Sequence, residues 1–285
     1  PKSWLARPGQ PIVETQEWPV NQLSYLSQAG RFAIALPNDS FLGHALTLLL
    51  PSRCAMCRSK LETAHQCICN ACISELPWLD NHCQQCAEPL AINMLCPDCQ
   101  QHPPSFNRCI TAFTYQAPID RIILRLKKDP FAAEIKQLTA LLAEKILSSY
   151  RRDKTFAEKA TDTEHLLPDL IIPMPLHWKK MLHRGFNQSQ IISNHLASYL
   201  LAQHKISLRV CSDICQRVSN TQAQQTLDKK QRAKSVNNAF SADSSSRIHL
   251  RGKTVAIIDD VVTTGATANA LAREILNGGA NRVDI

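Results

Sequence analysis

Four cysteine pairs with one spacing are the most informative chemical feature of the chain. Each pair is separated by two residues, and the eight thiols are Cys54, Cys57, Cys69, Cys72, Cys83, Cys86, Cys96 and Cys99. A Cys-x-x-Cys turn directs both thiolates at one ion, and two such turns complete a tetrahedral zinc site. Eight thiolates therefore predict two structural zinc ions, with no coordination position left for a substrate. We predict that consecutive pairs share an ion; a cross-brace that alternates the pairs is the other arrangement.

The other uses of cysteine fit this pattern less well. A thioredoxin-like redox motif needs one pair, iron–sulfur spacing is usually tighter, and a disulfide framework suits a small secreted domain. Here the cysteines occupy one part of a chain of 285 residues. We therefore predict a cytoplasmic protein in a reducing environment. The thiols outside the pattern are expected to be buried or free, and they are Cys67, Cys109, Cys211 and Cys215.

A second constellation follows an apolar run near the end of the chain. Residues 254–258 predict a buried strand, which ends in the adjacent carboxylates Asp259 and Asp260. A turn rich in hydroxyl groups then opens a helix, and its residues are Thr263, Thr264, Gly265, Ala266 and Thr267. Carboxylates at a strand end can accept hydrogen bonds from a vicinal diol such as ribose, and N–H groups at a helix N-terminus suit a phosphate. The alternative is a strand cap followed by a threonine N-cap.

The elements around this turn alternate between strands and helices. Apolar runs predict strands at residues 110–115, 169–175 and 254–258, and helical periodicity predicts helices at 119–128, 132–150, 187–201 and 266–276. Such alternation favours an α/β fold with an open, mostly parallel sheet flanked by helices. No apolar run approaches the roughly 20 residues that span a bilayer, so we predict no membrane insertion.

The composition divides the chain into three parts. Residues 1–40 predict a loosely structured extension, and residues 41–104 a short leader helix plus the cysteine module. Residues 105–285 predict the α/β domain. It contains a flexible basic loop at about 212–247, and its final strand, opening at residues 282–285, is expected to be cut short. The net charge of +8 alone is too small to indicate nucleic-acid binding.

Several motifs together resemble one family. The Asp259–Thr267 segment resembles the phosphoribosyl pyrophosphate (PRPP) motif of type I phosphoribosyltransferases. The runs Ile-Pro-Met-Pro-Leu at 172–176 and Arg-Gly-Phe-Asn-Gln at 184–188 resemble the ComF family, also called the GntX family. That family also has paired cysteine knuckles and a long basic loop; its loop pattern is matched here by Arg217, Thr221, Gln224, Leu227, Arg232 and Asn238-Ala-Phe240. The resemblance covers residues 41–285, with Ser235 departing from the family's usual asparagine.

The resemblance implies a fold, a substrate and site residues. It implies a type I phosphoribosyltransferase fold that binds PRPP with Mg²⁺ and transfers the phosphoribosyl group to an unidentified acceptor, releasing pyrophosphate. The implied catalytic residues are Asp259, Asp260 and Arg184, and the implied phosphate-binding residues are Thr263, Thr264, Gly265, Ala266, Thr267, Lys179, Lys180 and Arg217. We expect Lys179, Lys180 and Arg184 in a loop after a strand. Lys127 and Lys128 are expected to act as helix-dipole partners.

The resemblance also implies a link to natural transformation and DNA uptake, or to nucleotide metabolism. Two non-catalytic functions stay open: sensing of PRPP, and an adaptor role that binds single-stranded DNA or DNA-uptake proteins. Binding to single strands uses aromatic side chains interleaved with basic ones, and only Phe240 borders the basic cluster of residues 205–234. His177 and His183 are candidates for proton transfer to an acceptor.

Overall fold

The computed structural model describes residues 52–61, 66–152, 167–218, 239–242 and 246–285. The chain divides into two units, residues 1–50 and 51–285, and all described residues belong to the second. The predicted extension, the leader helix and residues 219–238 of the basic loop lie outside the described residues. The predicted boundary between the cysteine module and the α/β domain stays a prediction.

The described residues form seven α-helices and six strands. The helices are α1 (Asn70–Ser74), α2 (Pro97–Gln101), α3 (Ile119–Leu126), α4 (Ala133–Arg152), α5 (Trp178–Arg184), α6 (Gln188–His204) and α7 (Ala266–Asn277). The strands are β1 (Leu170–Pro173), β2 (Arg209–Val210), β3 (Cys215–Arg217), β4 (Phe240–Ala242), β5 (Thr254–Ile258) and β6 (Arg282–Asp284). One 3₁₀ turn spans Ser246–His249.

A four-stranded parallel sheet in the order β2-β1-β5-β6 lies at the centre of the described unit. Leu170 of β1 is in register with Val255 of β5, and Val255 with Val283 of β6. Successive side chains of a strand point to opposite faces of a sheet. Val255 and Ile257 pack in a core with α7, whereas Ile171 and Ile258 pack in a second core with α3, α4 and α6. The predicted α/β class, a mostly parallel sheet flanked by helices, is confirmed.

Local sequence explains where the helices of this unit begin and end. Asn187 caps α6, and its side chain accepts a hydrogen bond from the Ser189 backbone N–H at 3.0 Å. Gly278 follows the last residue of α7. In α3, the apolar residues at 119, 122, 123 and 126 are all buried, as their helical spacing requires. The predicted helices at 119–128, 132–150, 187–201 and 266–276 are therefore confirmed within a few residues.

Two extended segments differ from the sequence expectation. Residues 110–115 form no regular strand, although their backbone makes single hydrogen bonds to neighbouring segments. The Ile110 N–H donates to the Ile285 carbonyl at 2.8 Å, and the Leu79 N–H donates to the Ala112 carbonyl at 2.9 Å. These neighbouring segments are too short to form a ladder, so only isolated bridges result, such as Trp78 with Phe113. Conversely, β3 and β4 pair antiparallel inside the predicted loop at 212–247. Their three-residue length gave no readable periodicity.

Among the described residues, no helix is long and apolar enough to cross a membrane.

Candidate functional site

The eight cysteines of the repeated pairs form two separate clusters. One contains Cys54, Cys57, Cys69 and Cys72, and the other contains Cys83, Cys86, Cys96 and Cys99. Within each cluster the four sulfur atoms lie within 4.8 Å of one another. This confirms the predicted pairing of consecutive knuckles rather than the cross-brace. We refer to residues 52–76 as the first ribbon and residues 80–101 as the second ribbon.

In each ribbon, backbone N–H groups favour the thiolate of one cysteine, and the thiolate is the form that binds metal. The Cys69 N–H donates to Cys54 Sγ at 3.4 Å, and the Cys96 N–H donates to Cys83 Sγ at 3.3 Å. Burial opposes ionisation, but backbone N–H groups outweigh it and lower the pKa of both Cys54 and Cys83 to about 6. Two sets of four soft thiolates fit two structural zinc ions, one in each cluster, which would contribute folding energy.

Three of the four cysteines outside the two clusters are buried and the fourth is half-buried, and all four are free thiols, in line with the expectation. Cys109, Cys211 and Cys215 are buried, and Cys67 is half-buried. Burial raises the pKa of Cys109 and of Cys215 to about 12, which keeps both thiols protonated and unreactive.

A separate, polar cavity lies where the parallel strands β1 and β5 end. Its walls come from the residues after β1, from α5 and the start of α6, from β3, and from the turn that joins β5 to α7. The Met174 N–H donates to the Ile258 carbonyl at 2.8 Å, and Asn187 Nδ2 donates to the Met174 carbonyl at 3.0 Å. These bonds hold the segment after β1 against the segment after β5. Ligands of open α/β sheets bind at this carboxyl edge.

Two nearly buried carboxylates form the floor of this cavity. Asp259 Oδ1 accepts hydrogen bonds from the Asp260 N–H at 2.9 Å and from Ser189 Oγ at 3.2 Å. Burial and the adjacent Asp260 raise the pKa of Asp259 to about 7. Asp260 Oδ2 lies 3.0 Å from Lys127 Nζ, and the Asp260 side chain is only 9% exposed. Asp259 is thus costly to keep ionised without a further cation or a hydrogen-bonding ligand.

Four cationic side chains line the same cavity: Lys180 and Arg184 of α5, Lys127 after α3, and Arg217 of β3. Burial, together with the charges of Arg217, Arg184 and Lys127, lowers the pKa of Lys180. Burial also lowers the pKa of Arg217, which lies 5.6 Å above the Phe240 ring. Such mutual repulsion among cations shows that their charges converge, and an anionic ligand in the cavity would relieve it.

The turn between β5 and α7 lines the cavity and opens a helix. Gly265 adopts a left-handed conformation with φ of +68°, which places it at the N-cap of α7. An added Cβ at Gly265 would meet only the Phe106 ring, at an ordinary contact distance of 3.7 Å. The conformation, and not a lack of space, therefore calls for glycine. The first N–H groups of α7 lie at the cavity, where the helix dipole favours negative charge.

Most residues implied by the resemblance lie at this cavity, but two do not line it. The cavity is lined by Asp259, Asp260, Arg184, Thr263, Gly265, Ala266, Thr267, Lys180 and Arg217. Thr264 is outside the lining, and its Oγ1 accepts from the Ala266 N–H at 3.4 Å. Lys179 is exposed, and its Nζ lies 5.5 Å from the Trp178 ring centre.

The residues around Lys179, Lys180 and Arg184 do not form the expected loop. They belong to α5, which begins after His177 and ends at Gly185 with φ of +80°. His177 is buried, and its Nδ1 caps α5 by accepting a hydrogen bond from the Lys179 N–H at 3.3 Å. His183 is exposed on α5.

Sequence reasoning missed three residues of the cavity: Lys127, Gln188 and Ser189. Lys127 is the C-cap residue of α3, at the helix end where it was expected, and its ammonium in addition pairs with Asp260, which the sequence did not indicate. Gln188 accepts a hydrogen bond from Arg184, which fixes the guanidinium. The motif at 184–188 pointed to this region, but no sequence signal separated Lys127 from its exposed neighbour Lys128.

Comparison with known proteins agrees with this architecture. Residues 45–100 match the model of the double zinc ribbon domain. The chain is 30% identical over 239 residues to DNA utilization protein YhgH of Escherichia coli (strain K12), covering 84% of this chain and 96% of that protein. It is 28% identical over 236 residues to competence protein F of Haemophilus influenzae, covering 82% and 94%. Competence protein ComFC of Bacillus subtilis is 24% identical over 221 residues, covering 74% and 79%.

A double zinc ribbon joined to a parallel α/β sheet defines the class of protein. With near-complete coverage of its relatives, this chain belongs to the ComF family of competence and DNA-utilization proteins.

Proposed function

We propose that this chain binds PRPP at the polar cavity and transfers its phosphoribosyl group to an acceptor. One observation carries the proposal: two nearly buried carboxylates and four cations, drawn from α5, β3 and the end of α3, meet at the carboxyl edge of a parallel sheet, beside the N-terminus of α7. PRPP combines a ribose diol with a 5′-phosphate and a pyrophosphate. Each of these groups has a counterpart of opposite character in the cavity.

The chemistry divides among the residues by charge. Asp259 and Asp260 would accept hydrogen bonds from the ribose hydroxyls and stabilise the positive charge that develops on the ring as the C1–O bond breaks. The Thr263–Thr267 turn would bind the 5′-phosphate through backbone N–H groups. Lys180, Arg184 and Arg217 would bind the pyrophosphate and stabilise it as a leaving group. Lys127 already offsets one carboxylate in the absence of ligand.

The carboxylates also suit the magnesium ion that usually accompanies PRPP. Mg²⁺ prefers oxygen ligands, and it commonly binds one or two carboxylates together with substrate phosphates. Asp259 and Asp260 are the acidic residues in the lining of the cavity. When bound, the ion would offset charge on the pyrophosphate oxygens.

The proposal is tested with two adjacent lysines. Lys127→Met removes the ammonium that pairs with Asp260, whereas Lys128→Met changes an exposed neighbour outside the cavity lining. Titration calorimetry with PRPP and Mg²⁺ is expected to give about tenfold weaker binding for Lys127→Met, because Asp260 loses its ion pair and the cavity loses one positive charge that favours an anion, and unchanged binding for Lys128→Met. Absence of PRPP binding by the unaltered protein, or an equal loss in both variants, contradicts the assignment.

Binding and catalysis are separate questions. Release of pyrophosphate from PRPP in the presence of nucleobase acceptors, measured with a coupled assay, is the expected sign of transferase activity. Binding without release with every acceptor tested favours a PRPP-sensing protein that retains the site without turnover.

The relatives support a connection with DNA, because their names describe DNA utilization and competence. We propose that this chain acts in the cytoplasm in DNA uptake, with single-stranded DNA or DNA-uptake proteins as partners. The convergent cations of the cavity favour an adaptor that binds a DNA strand as the second candidate function. Titration of fluorescent oligothymidylate at several salt concentrations tests it, because phosphate contacts give a steep salt dependence. Unaltered affinity in Lys127→Met excludes the cavity as the DNA site.

A further inference from the structure

The second ribbon exposes a group of apolar side chains that its own fold does not cover. Ile92, Met94 and Leu95 are 63%, 43% and 40% exposed, and we call these three residues the ribbon tip. The Gln84 N–H donates to the Met94 carbonyl at 3.2 Å, and Gln100 Nε2 donates to the Leu95 carbonyl at 2.9 Å. The backbone of the tip is therefore fixed, and its side chains form a defined surface. Adjacent exposed apolar residues of this kind mark interaction sites.

The charge around the ribbon tip is opposite to that of the chain as a whole. The protein carries a net charge of +8, yet residues 61–107 contain no lysine or arginine. The second ribbon contributes Asp80, Glu88 and Asp98, all exposed. An acidic, apolar surface repels a phosphate backbone and complements a cationic, apolar protein surface.

A surface of that complementary chemistry exists on the same chain, on α5. Trp178, Met181 and Leu182 are 58%, 41% and 75% exposed, and their i, i+3, i+4 spacing places them on one side of the helix. Lys179 lies beside this group, with its ammonium 5.5 Å from the Trp178 ring centre. We call the three apolar residues together with Lys179 the α5 face. No residue of α5 is buried by the rest of the described unit.

We propose that the ribbon tip of one copy docks on the α5 face of a second copy. Both surfaces are exposed within a single chain, so neither covers the other. Two such contacts related by a twofold axis use each surface once and close a dimer. Three apolar side chains on each side with opposite flanking charges give a weak, salt-sensitive association.

This assembly would bear on the cavity without depending on what the cavity binds. Lys180 and Arg184 of α5 line the cavity, while Trp178 and Leu182 of the same helix belong to the α5 face. A second copy docked there lies next to the cavity mouth and places acidic groups near its cations. The proposal is tested without PRPP, so it can fail or hold independently of the proposed function.

Sedimentation of the full chain over a micromolar concentration series, at low and high salt, tests the proposal. A monomer–dimer equilibrium that weakens with salt is expected. Leu95→Lys on the tip and Leu182→Glu on the α5 face are each expected to raise the dimer dissociation constant by about tenfold or more, because each sets like charges against each other. The matched control is Leu124→Glu, since Leu124 is a 51% exposed leucine on α3 outside both surfaces.

Charge reversal separates a real contact from simple surface damage. The double variant L95K/L182E restores opposite charges across the contact and is expected to dimerise more tightly than either single variant. Zinc content and circular dichroism show whether each variant is folded. A monomer at every concentration, an equal effect of Leu124→Glu, or no recovery in the double variant overturns the proposal. A monomer that loses oligothymidylate binding in Leu182→Glu overturns it in favour of a nucleic-acid surface on α5.

Discussion

The two ribbons share one ligand spacing but differ in what surrounds them. In the first ribbon, Cys54, Leu61 and Ile68 are buried in the same core as α3, α4 and α6. In the second ribbon, Cys83, Cys96 and Cys99 form a small cluster of their own, and the residues at 92, 94 and 95 face outward. The spacing therefore determines the ion, whereas the residues between the ligands determine the structural role.

One side chain of α4 joins the first ribbon to that helix through three hydrogen bonds. Gln137 Oε1 accepts from the Cys67 and Ile68 N–H groups, both at 2.8 Å, and Gln137 Nε2 donates to the Ile68 carbonyl at 3.0 Å. The second ribbon has a weaker counterpart in Gln85, which donates to the Phe106 carbonyl at 3.4 Å. The first ribbon is thus part of the core of the described unit, and the second is attached along one edge, mainly through Leu79 and Ala87.

Removal of one cysteine ligand from each ribbon should give the largest difference in the free energy of unfolding between the two ribbons. Cys69→Ser is expected to lower the free energy of unfolding by about 4 kcal/mol or more, because the first metal site is continuous with the core. Cys96→Ser is expected to release one zinc and disorder the second ribbon while the main transition shifts by about 1 kcal/mol. Urea unfolding followed by circular dichroism, with zinc measured by a chromophoric chelator, checks both values. Equal destabilisation would show that the ribbons are structurally equivalent.

One isoleucine in each ribbon allows the same comparison of stability without a change in any metal ligand. Ile68 is fully buried, whereas Ile92 is 63% exposed. Ile68→Ala is expected to cost about 2–5 kcal/mol through lost burial and a cavity. Ile92→Ala is expected to change stability by less than about 0.5 kcal/mol. Thermal unfolding at low protein concentration, where association does not contribute, is the suitable measurement, and a large loss for Ile92→Ala would place the tip in the core.

Substitution of Gln137 and Gln85 should give the smallest difference in stability between the two ribbons. Gln137→Ala leaves the Ile68 amide and carbonyl of the first ribbon without their partner and is expected to cost about 1–3 kcal/mol. Gln85→Ala removes one long hydrogen bond in the second ribbon and is expected to cost less than about 0.5 kcal/mol. Hydrogen exchange of the Ile68 amide gives a local readout, because its protection depends on Gln137. Unchanged protection in Gln137→Ala contradicts the fastening role.

Features that depend on local residue spacing could be predicted from the sequence. Cys-x-x-Cys pairs predicted two four-cysteine sites, and the apolar run at 254–258 followed by two carboxylates predicted β5 and the turn that opens α7. Ligand geometry, strand burial and helix caps act over a few residues, so a linear pattern records them. The same holds for α3, α4 and α6, whose apolar periodicity matches their buried faces.

Contacts between residues that are far apart in the sequence could be seen only in the folded structure. Lys127 reaches Asp260, Ser189 donates to Asp259, and Gln137 fastens Ile68, although each pair is far apart in sequence. The segment that was expected to form a loop is the helix α5. In this helix Lys180 lines the cavity, whereas Lys179 lies beside the Trp178 ring. Such contacts arise because α3, α4 and α6 pack against the sheet and bring together residues that are distant in the sequence. A lysine beside a lysine carries no local signal of which one will face a carboxylate.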